Sequence, residues 1–321
     1  MEQALASVGT GPLLARDLLS SADLTRDDNE LVFARAAHLK RELRADHRHA
    51  GQPLAGRTVA LILEKQSLRT RVTFEAGLDQ LGGHALHLGE GIGFGVRESV
   101  SDVARNLERW VDGIVIRTFA HSIVTELAAE AGIPVFNALT DDEHPFQALA
   151  DLFTLREHFG RLQGLVMTFV GDGNNVYHSL ALAGAVMGME IRLAHPEGYG
   201  PNPAIVALAE KLAAANGGNI VVGRDPRQLA HGSDALYTDV WVSMGQEDQS
   251  RARLASFAGY SVDTSLLELA GAAAVAMHCL PAHRGQEITA EVIDGPRSLA
   301  FEQAENRLHV QKAFLVESLG R

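Results

Sequence analysis

Two arginines and two hydroxyl residues crowd the segment EKQSLRTRVTFE, residues 64–75, directly after the apolar run TVALIL. A helix that begins near Ser67 after a strand would direct unpaired backbone N–H groups and the positive end of its dipole toward an anion. Cations are unfavourable in the first turn of a helix, so Arg69 and Arg71 indicate a bound anion that offsets their charge, with Thr70 beside it. The alternative is that Ser67 only caps the helix and that both arginines pair with surface carboxylates.

Further polar residues stand where other strands end or helices begin. Arg117 ends the run GIVIR, and the end of a strand is where an α/β sheet presents ligand contacts. An arginine that is merely exposed to solvent at the strand end would give the same sequence pattern. Pro145 suits the first turn of a helix, so His144 and Gln147 would project from one face at its start. A single histidine there is usually structural, and its value rises because it joins a set.

The segment VMTFVGDGNNVYHS, residues 166–179, invites comparison with a dinucleotide-binding turn. Val176 replaces the third glycine of that fingerprint, and no acid ends the next strand, which disfavours a nucleotide. What remains is a tight turn that presents Asn174 and Asn175, each able to donate and accept hydrogen bonds. Asp239, which closes the run ALYTD, is an anion at the same edge and would match a cationic ligand.

Cys279, in the segment AVAMHCLPAHRG, is the only cysteine among 321 residues. A cysteine that ends an apolar run is most often a small buried hydrophobe. It could also serve a site, because the end of a strand is where ligands bind in α/β sheets. His278 and His283 lie nearby, but together with one thiol they are far from a closed set of metal ligands.

The elements that must position these residues alternate along the chain. Short apolar runs span residues 58–63, 113–116, 165–170, 190–194, 219–222, 235–238 and 273–277. Stretches with helical periodicity span residues 70–81, 101–111, 147–158, 175–187 and 204–215, and a final helix is expected from about 304 to 319. This alternation predicts an α/β fold of two doubly wound parallel-sheet domains, joined by a helix over 145–159.

Length and charge narrow the class of protein. A chain of 321 residues favours two domains of about 150 residues each. A net charge of -12 argues against nucleic acid or a membrane surface as the main partner, because both reward a basic face. A single cysteine fits a reducing compartment, and no long apolar run or basic leader is evident, so we expect a cytoplasmic protein without a membrane span.

Taken together, these motifs resemble the aspartate and ornithine carbamoyltransferase family. The resemblance runs through nearly the whole chain, in the family's order, over LLARDLLSSADL, SLRTR, HPFQALAD, GDGNNV, DVWVSMGQE, HCLPAHRG and AENRLHVQKA. It implies transfer of a carbamoyl group from carbamoyl phosphate to the side-chain amine of L-ornithine, giving citrulline and phosphate in arginine metabolism. The amine would attack directly as the two domains close, with no metal or redox cofactor, in a homotrimer or an assembly of trimers.

The resemblance also implies the domain limits and the site residues. Residues 1–145 would bind carbamoyl phosphate, with the helix at about 304–321 packing back on them, and residues 146–303 would bind ornithine. The implied contacts to carbamoyl phosphate are Ser67, Leu68, Arg69, Thr70, Arg117, His144, Gln147, Cys279, Leu280 and Arg307. The implied contacts to ornithine are Asn175, Asp239, Ser243 and Met244. The residues expected to take part in catalysis are Cys279, Arg117 and His144.

One departure and two other functions bear on this interpretation. Many relatives carry threonine where Leu68 stands, so at this position only the backbone N–H could contact phosphate. That loss would permit a sensor of phosphate ligands that does no catalysis, and a carbamoyltransferase for a related amine is also conceivable. Aspartate as the acceptor is disfavoured, because a dicarboxylate would require basic residues where this chain has Asp239 and Ser-Met-Gly.

Overall fold

The protein is described by a computed structural model, which covers residues 16–45, 49, 51–89, 92–94, 96–242 and 250–320. Its contacts divide the chain into two compact units. The N-terminal unit runs to Ala150 and takes in the C-terminal segment from Asn306, and the central unit runs from Asp151 to Glu305. Each unit is built on its own parallel sheet, so the fold is α/β with two parallel-sheet domains, as the sequence predicted.

The N-terminal unit holds a four-stranded sheet in the order β2-β1-β3-β4. The strands are β1 (Thr58–Leu63), β2 (His84–Leu88), β3 (Gly113–Arg117) and β4 (Val135–Leu139). Its helices are α1 (Arg26–Ala45), α2 (Leu68–Gln80), α3 (Val100–Leu107), α4 (His121–Glu130), the start of α5 (Pro145–Phe159) and the end of α12 (Ala300–Leu319). Strands β3 and β4 are buried throughout, because helices cover both faces of the sheet.

The central unit holds a five-stranded sheet in the order β7-β6-β5-β8-β9. The strands are β5 (Val166–Val170), β6 (Glu190–Ala194), β7 (Asn219–Gly223), β8 (Ala235–Thr238) and β9 (Val275–His278). Its helices are α6 (Asn175–Val186), α7 (Pro203–Asn216), α8 (Pro226–Ala230), α9 (Ser250–Ser256), α10 (Thr264–Ala270) and α11 (Ala290–Ile293). Among the described residues, none of the helices combines the length and apolar character required to cross a membrane.

The sequence patterns located seven of these strands to within two residues and missed β2 and β4. The edge strand β2 reads HALHL and is mostly exposed, so it lacks the continuous apolar run by which a buried strand is recognised. Strand β4, VFNAL, is fully buried but carries Asn137 in its middle. The side chain of Asn137 donates to the carbonyl of Leu19, 2.8 Å away, which partly compensates the cost of burying that amide.

Helix α12 carries a group of buried bases into the N-terminal unit. Lys312 donates to Gln80 Oε1 over 2.8 Å and lies 3.0 Å from His49 Nε2, whose other ring nitrogen is 2.8 Å from Glu42. His309 is also buried, and burial followed by the charges of the neighbouring lysines lowers its pKa to about 3. Folding therefore holds this imidazole neutral at a pH where an unfolded chain would protonate it.

We expect His309 to make the folded protein sensitive to acid. Its pKa in the folded protein lies below the unfolded value of about 6.5. The contribution of this group to the free energy of unfolding is therefore fully present above pH 6.5 and is lost as the pH falls toward 3. Between pH 7.5 and pH 5 the loss from this one group should be about 2 kcal/mol. Urea unfolding of His309→Gln at both pH values should show a smaller drop than the wild type, whereas His231→Gln, at an exposed histidine, should not.

Candidate active site

The start of α2 forms the turn predicted from SLRTR. Ser67 caps the helix, since its hydroxyl oxygen accepts from the backbone N–H of Thr70 over 3.2 Å. The same hydroxyl donates to Thr70 Oγ1 over 3.0 Å. Leu68 exposes 77% of its surface, so its side chain does not pack in the core. Arg71 pairs with Glu75 over 2.9 Å on the exposed face, which fits the surface ion-pair alternative for Arg71.

Arg307 gathers three of the other predicted residues inside the N-terminal unit. Its guanidinium donates to Gln147 Oε1 over 2.5 Å and to Thr70 Oγ1 over 3.0 Å, and it lies 3.4 Å from His144 Nε2. All four side chains are at least 95% buried. The hydroxyl of Thr70 thus accepts from both Ser67 and Arg307, which leaves its own hydrogen as the part able to donate to a ligand.

His144 is electrically neutral in this surrounding. Burial is the main cause that holds its pKa well below 6.5, and the positive charges of Arg307, Arg117 and Arg69 lower it further. Three guanidinium groups act on one buried imidazole, so this part of the unit carries concentrated positive charge in a protein whose net charge is -12. Such a cluster suits an anion with several oxygens, and a neutral histidine can still donate one hydrogen bond to it.

Arg117 ends β3, and the register of the sheet explains its place. Leu63 of β1 pairs with Arg117, so the arginine lies at the carboxyl edge where the chain leaves β1 toward Ser67. Only 6% of Arg117 is exposed. The alternative of a solvated strand end is therefore wrong. The position at the carboxyl end of parallel strands is where α/β sheets bind ligands.

Asp239 and Cys279 meet at the matching edge of the central sheet. Thr238 of β8 pairs with His278 of β9, so the next residue of each parallel strand lies beside the other. The Cys279 thiol donates to Asp239 Oδ1 over 3.0 Å, and Asn174 Nδ2 donates to Asp239 Oδ2 over 2.9 Å. Both carboxylate oxygens are thus fixed by hydrogen bonds, with Asp239 9% exposed and Cys279 8% exposed.

Asn174 is a residue whose role the sequence left open. It caps α6 by accepting from the N–H groups of Val176 and Tyr177, and its amide nitrogen turns to Asp239. Asn175, the residue predicted to bind ornithine, follows as the first residue of α6. The two asparagines of GDGNN therefore have different roles. Asn174 binds the carboxylate of Asp239 and caps the helix, whereas Asn175 is the first residue of the helix.

Leu280 has backbone angles that leucine seldom adopts, with a φ of 58°. Its N–H donates to His278 Nδ1 over 2.8 Å, which requires the proton of the neutral ring to lie on Nε2, 3.2 Å from Glu287 Oε1. Histidine and glutamate are both fully buried. These contacts stabilise the turn that presents the backbone of Cys279 and Leu280, and neither His278 nor Glu287 was assigned this role from the sequence.

Asp239, His278 and Cys279 place one possible metal-ligand atom each within 4.8 Å of the others. Both ring nitrogens of His278 are already engaged, by Leu280 N–H and by Glu287. The thiol is bonded to Asp239. A metal would have to break these contacts, so the arrangement suits a hydrogen-bonded network better than a metal centre. Ser243 and Met244 lie outside the described residues.

Comparison with known proteins identifies the family. Two family models match the chain, "Aspartate/ornithine carbamoyltransferase, carbamoyl-P binding domain" over residues 16–157 and "Aspartate/ornithine carbamoyltransferase, Asp/Orn binding domain" over residues 163–317. The chain belongs to the aspartate/ornithine carbamoyltransferase family. The carbamoyl phosphate model covers the unit in which Arg307 contacts Thr70, His144 and Gln147, although Arg307 itself falls within the second model.

Relatives within the family are similar over almost the full chain. An ornithine carbamoyltransferase of Acidothermus cellulolyticus is 49% identical over 312 residues, which is 96% of this chain and 98% of the relative. The structure of ornithine carbamoyltransferase from Pyrococcus furiosus matches with a TM-score of 0.93 and 42% identity, covering 97% of this chain and 99% of that one. The enzyme from Thermus thermophilus matches with a TM-score of 0.85 and 45% identity, covering 95% and 99%.

For this family member we expect Cys279→Ser to impair use of the second substrate while sparing the first. A thiol can lose a proton near neutral pH and a hydroxyl cannot, so both the contact to Asp239 and the pH dependence of turnover should change. Loss of about 1–3 kcal/mol would lower kcat/KM for the amine substrate by roughly 5- to 150-fold. Steady-state kinetics from pH 6 to 10 measure both effects, and Cys279 would prove to be core filler if the mutant matched the wild type.

A covalent role for Cys279 would give a different result. Ping-pong kinetics in the wild type, or a carbamoylated Cys279 trapped and found by mass spectrometry, would show attack by the thiol on carbamoyl phosphate. The Cys279 thiol donates its hydrogen to Asp239 Oδ1, and carbamoyl phosphate is activated enough for direct attack by an amine. We therefore expect sequential kinetics and no trapped adduct.

Proposed function

We propose that the protein transfers the carbamoyl group of carbamoyl phosphate to the side-chain amine of L-ornithine, forming L-citrulline and phosphate. The observation that carries this proposal is the carboxylate of Asp239, held by Cys279 and Asn174 at the carboxyl edge of the central sheet. An anionic group there suits a cationic amine and disfavours aspartate as the acceptor. The 49% identity to a curated ornithine carbamoyltransferase over nearly the full chain supports the same choice.

The first half of the reaction requires a place for phosphate as it leaves. The uncharged nitrogen of ornithine attacks the carbonyl carbon, and the bond from that carbon to the bridging phosphate oxygen breaks. Phosphate departs with the electron pair and takes up the proton that the nitrogen loses. Arg69, Arg117 and the N–H groups at Ser67 are the proposed contacts to phosphate, since charge-assisted bonds stabilise the growing negative charge. Thr70, with its hydroxyl hydrogen available, and neutral His144 are the proposed donors to the carbonyl oxygen.

The attack requires an amine that is already uncharged. An alkyl amine with a pKa of about 10.4 is mostly protonated at pH 8, and its deprotonation there costs about 3 kcal/mol. We place Asp239 and Cys279 at this amine, where the carboxylate attracts the ammonium and the thiol, once it has lost its own proton, can accept one from the amine. Asn175, Ser243 and Met244 remain the proposed contacts to the rest of ornithine. The backbone at Cys279 and Leu280 is proposed to contact the carbamoyl group.

Formation of citrulline tests the proposal directly. Purified protein, incubated with carbamoyl phosphate and L-ornithine, should release citrulline and phosphate in equal amounts. The same assay with L-aspartate or L-lysine in place of L-ornithine, at the same concentration, shows whether a different amine is the acceptor. A protein that binds carbamoyl phosphate but carbamoylates none of the three amines would be a sensor rather than a transferase.

We also infer that ornithine binds productively only after carbamoyl phosphate. The proposed contacts to phosphate belong to the N-terminal unit and the proposed contacts to ornithine to the central unit, so we propose that the reaction requires domain closure. Calorimetry should find weak ornithine binding to the protein alone and at least tenfold tighter binding with a non-reactive analogue of carbamoyl phosphate, a coupling of about 1.4 kcal/mol or more. Equal affinities would contradict the order.

A homotrimer, or a higher assembly of such trimers, is the proposed assembly. Its support within the described residues is an exposed apolar patch on the N-terminal unit. Leu68 and Val72 of α2 expose 77% and 50% of their surfaces, and Leu86 of the edge strand β2 exposes 40%. Of these, Leu68 borders a groove of about 560 Å³ that His87 and Arg71 also line. Apolar patches of this kind often bind protein partners, and sedimentation equilibrium measures the assembly.

We further propose that the protein works in the cytoplasm. Cys279 is buried and is the only cysteine of the chain, and a reducing compartment would keep its thiol available to Asp239. Fractionation of the source cells followed by immunoblotting would locate it.

A further inference from the structure

Lys40 of helix α1 is a buried cation at a position where the helix pattern favours an apolar side chain. The buried face of α1 includes Val32, Phe33, Ala36 and Leu39, and Lys40 continues it. Only 6% of Lys40 is exposed, whereas most lysines keep the ammonium in solvent. A lysine is seldom buried to this degree unless polar partners hold it, so its contacts indicate what it does.

The ammonium of Lys40 binds the residue next to Arg307. Its Nζ donates to Asn306 Oδ1 over 2.7 Å, and all three residues belong to the N-terminal unit. Asn306 is fully buried and immediately precedes Arg307 on α12. Arg307 is the side chain that gathers the proposed carbamoyl phosphate contacts. Consecutive residues of α12 therefore bond α1 on one side and the phosphate cluster on another.

Helix α2 holds α12 from a different direction. A Cβ atom added at Gly77 of α2 would lie 3.0 Å from Lys312 Cγ and 3.5 Å from Leu308 Cδ1, so the two helices are in close contact there. Successive residues of an α-helix are about 100° apart around its axis, so Asn306 projects about 160° away from Leu308. Helix α12 is thus held by α2 on one side and by Lys40 on the other.

A small rotation of α12 would displace the guanidinium of Arg307. Side-chain ends lie about 5–6 Å from a helix axis, so a rotation of about 10° moves them by about 1 Å. A misplacement of about 1 Å in a binding or reacting group can cost roughly 100-fold in rate. Replacing a buried polar pair by apolar side chains is often neutral or stabilising, so stability alone does not require a lysine at this position. The orientation of α12 gives a reason for it.

We propose that Lys40 is a positioning residue for carbamoyl phosphate, which acts through Asn306 to hold Arg307 in the orientation that completes the phosphate cluster. The inference rests on the proposed function and requires no contact between Lys40 and either substrate. Lys40, Asn306 and Arg307 all belong to the N-terminal unit, whereas the proposed ornithine contacts belong to the central unit. Removal of Lys40 should therefore weaken carbamoyl phosphate binding and spare ornithine use at saturating carbamoyl phosphate.

The test compares Lys40→Met with a matched control, Arg35→Met. Arg35 also belongs to α1 and bonds the same face of α12, at Glu317 over 2.6 Å, but about three turns beyond Asn306. Methionine is a flexible apolar residue that fills the space of either side chain without donating a hydrogen bond. We expect Lys40→Met to raise the Kd for carbamoyl phosphate, measured by calorimetry, at least roughly tenfold. Its KM for ornithine should stay within twofold of the wild type, and Arg35→Met should leave both constants within twofold.

Two further variants separate the bond to Asn306 from the charge of Lys40. Lys40→Arg keeps a charged donor and should recover part of the lost affinity for carbamoyl phosphate. Asn306→Ser keeps the charge of Lys40 but shortens the side chain that accepts its hydrogen bond. It should raise the Kd for carbamoyl phosphate at least roughly threefold, and it decides the matter if Lys40→Met does not fold.

Each contrary outcome has a defined meaning. A normal Kd in Lys40→Met, or an equal rise in Arg35→Met, would overturn the positioning role, because the lysine would then only stabilise the packing of α1 on α12. Weak binding in Lys40→Met with normal binding in Asn306→Ser would also overturn it, since the charge of Lys40 would then act directly on the ligand. A wild type that neither binds carbamoyl phosphate nor forms citrulline would remove the proposed function itself, a result distinct from these.

Discussion

Arg69→Ala should abolish binding of carbamoyl phosphate at millimolar ligand while leaving the fold intact. Arg69 lies in the first turn of α2, half-buried, and its charge reaches His144 inside the buried cluster. Replacing a charge-assisted contact to phosphate should cost about 2–5 kcal/mol, or roughly 30- to 5,000-fold in Kd. The fold should tolerate the change, because alanine favours helices and a cation in the first turn opposes the helix dipole.

Arg71→Ala is the control for this prediction. Arg71 lies two residues further along the same helix and loses the same atoms on truncation, but its guanidinium pairs with Glu75 on the exposed face. An exposed pair of this kind contributes about 0.3–0.5 kcal/mol, so its loss should leave the Kd for carbamoyl phosphate within threefold. Titration calorimetry on both variants decides the matter, and near-normal affinity of Arg69→Ala would remove Arg69 from the site.

Local sequence patterns located residues whose place depends on the element that carries them. Ser67 stands after a strand and before a helix, and Arg117 ends a buried run, so strand ends alone put both at the carboxyl edge of one sheet. Asp239 and Cys279 follow neighbouring strands in the same way, and the register of β8 with β9 brings them within 3.0 Å. Periodicity did not predict the order of the strands or their register. It did predict that each of these residues lies at the carboxyl edge of its sheet.

Contacts that join distant elements could not be found in this way. Arg307 follows Thr70 by more than 200 positions, and only the family resemblance assigned it to the phosphate cluster. Arg253 sits in a short, polar helix whose sequence SRARLAS suggests a solvated surface. Its contacts include Phe257 four positions later, but also Tyr199 and Asp172 from two distant segments, which no local pattern records.

Two identical residues in one motif can have different roles, as the asparagines of GDGNN do. In GDGNN both asparagines have the same chemistry, and only the family resemblance assigned the ligand contact to Asn175. The structure adds a role for Asn174, which caps α6 and holds Asp239. Capping could have been suspected, since asparagine is favoured before a helix, but the bond to a carboxylate 65 positions later requires the sheet order β5-β8.

The second large effect is expected from Asp239→Asn, which should nearly abolish the use of ornithine. The carboxylate accepts hydrogen bonds from Cys279, from Asn174 and from the N–H of Val240. An amide in its place removes the negative charge that attracts the ammonium, and its nitrogen would face at least one existing donor. Loss of one partner of a buried charge contact costs about 2–5 kcal/mol, so kcat/KM for ornithine should fall roughly 30- to 5,000-fold.

Asp263→Asn is the control, because Asp263 caps α10 in the same unit, where asparagine is an equally good cap. The Kd for carbamoyl phosphate should stay within twofold of the wild type in both variants, since its proposed contacts of charged type lie in the N-terminal unit. If Asp239→Asn kept at least a third of the wild-type kcat/KM for ornithine, the carboxylate would not be the group that receives the amine, and the choice of ornithine over other acceptors would lose its structural basis.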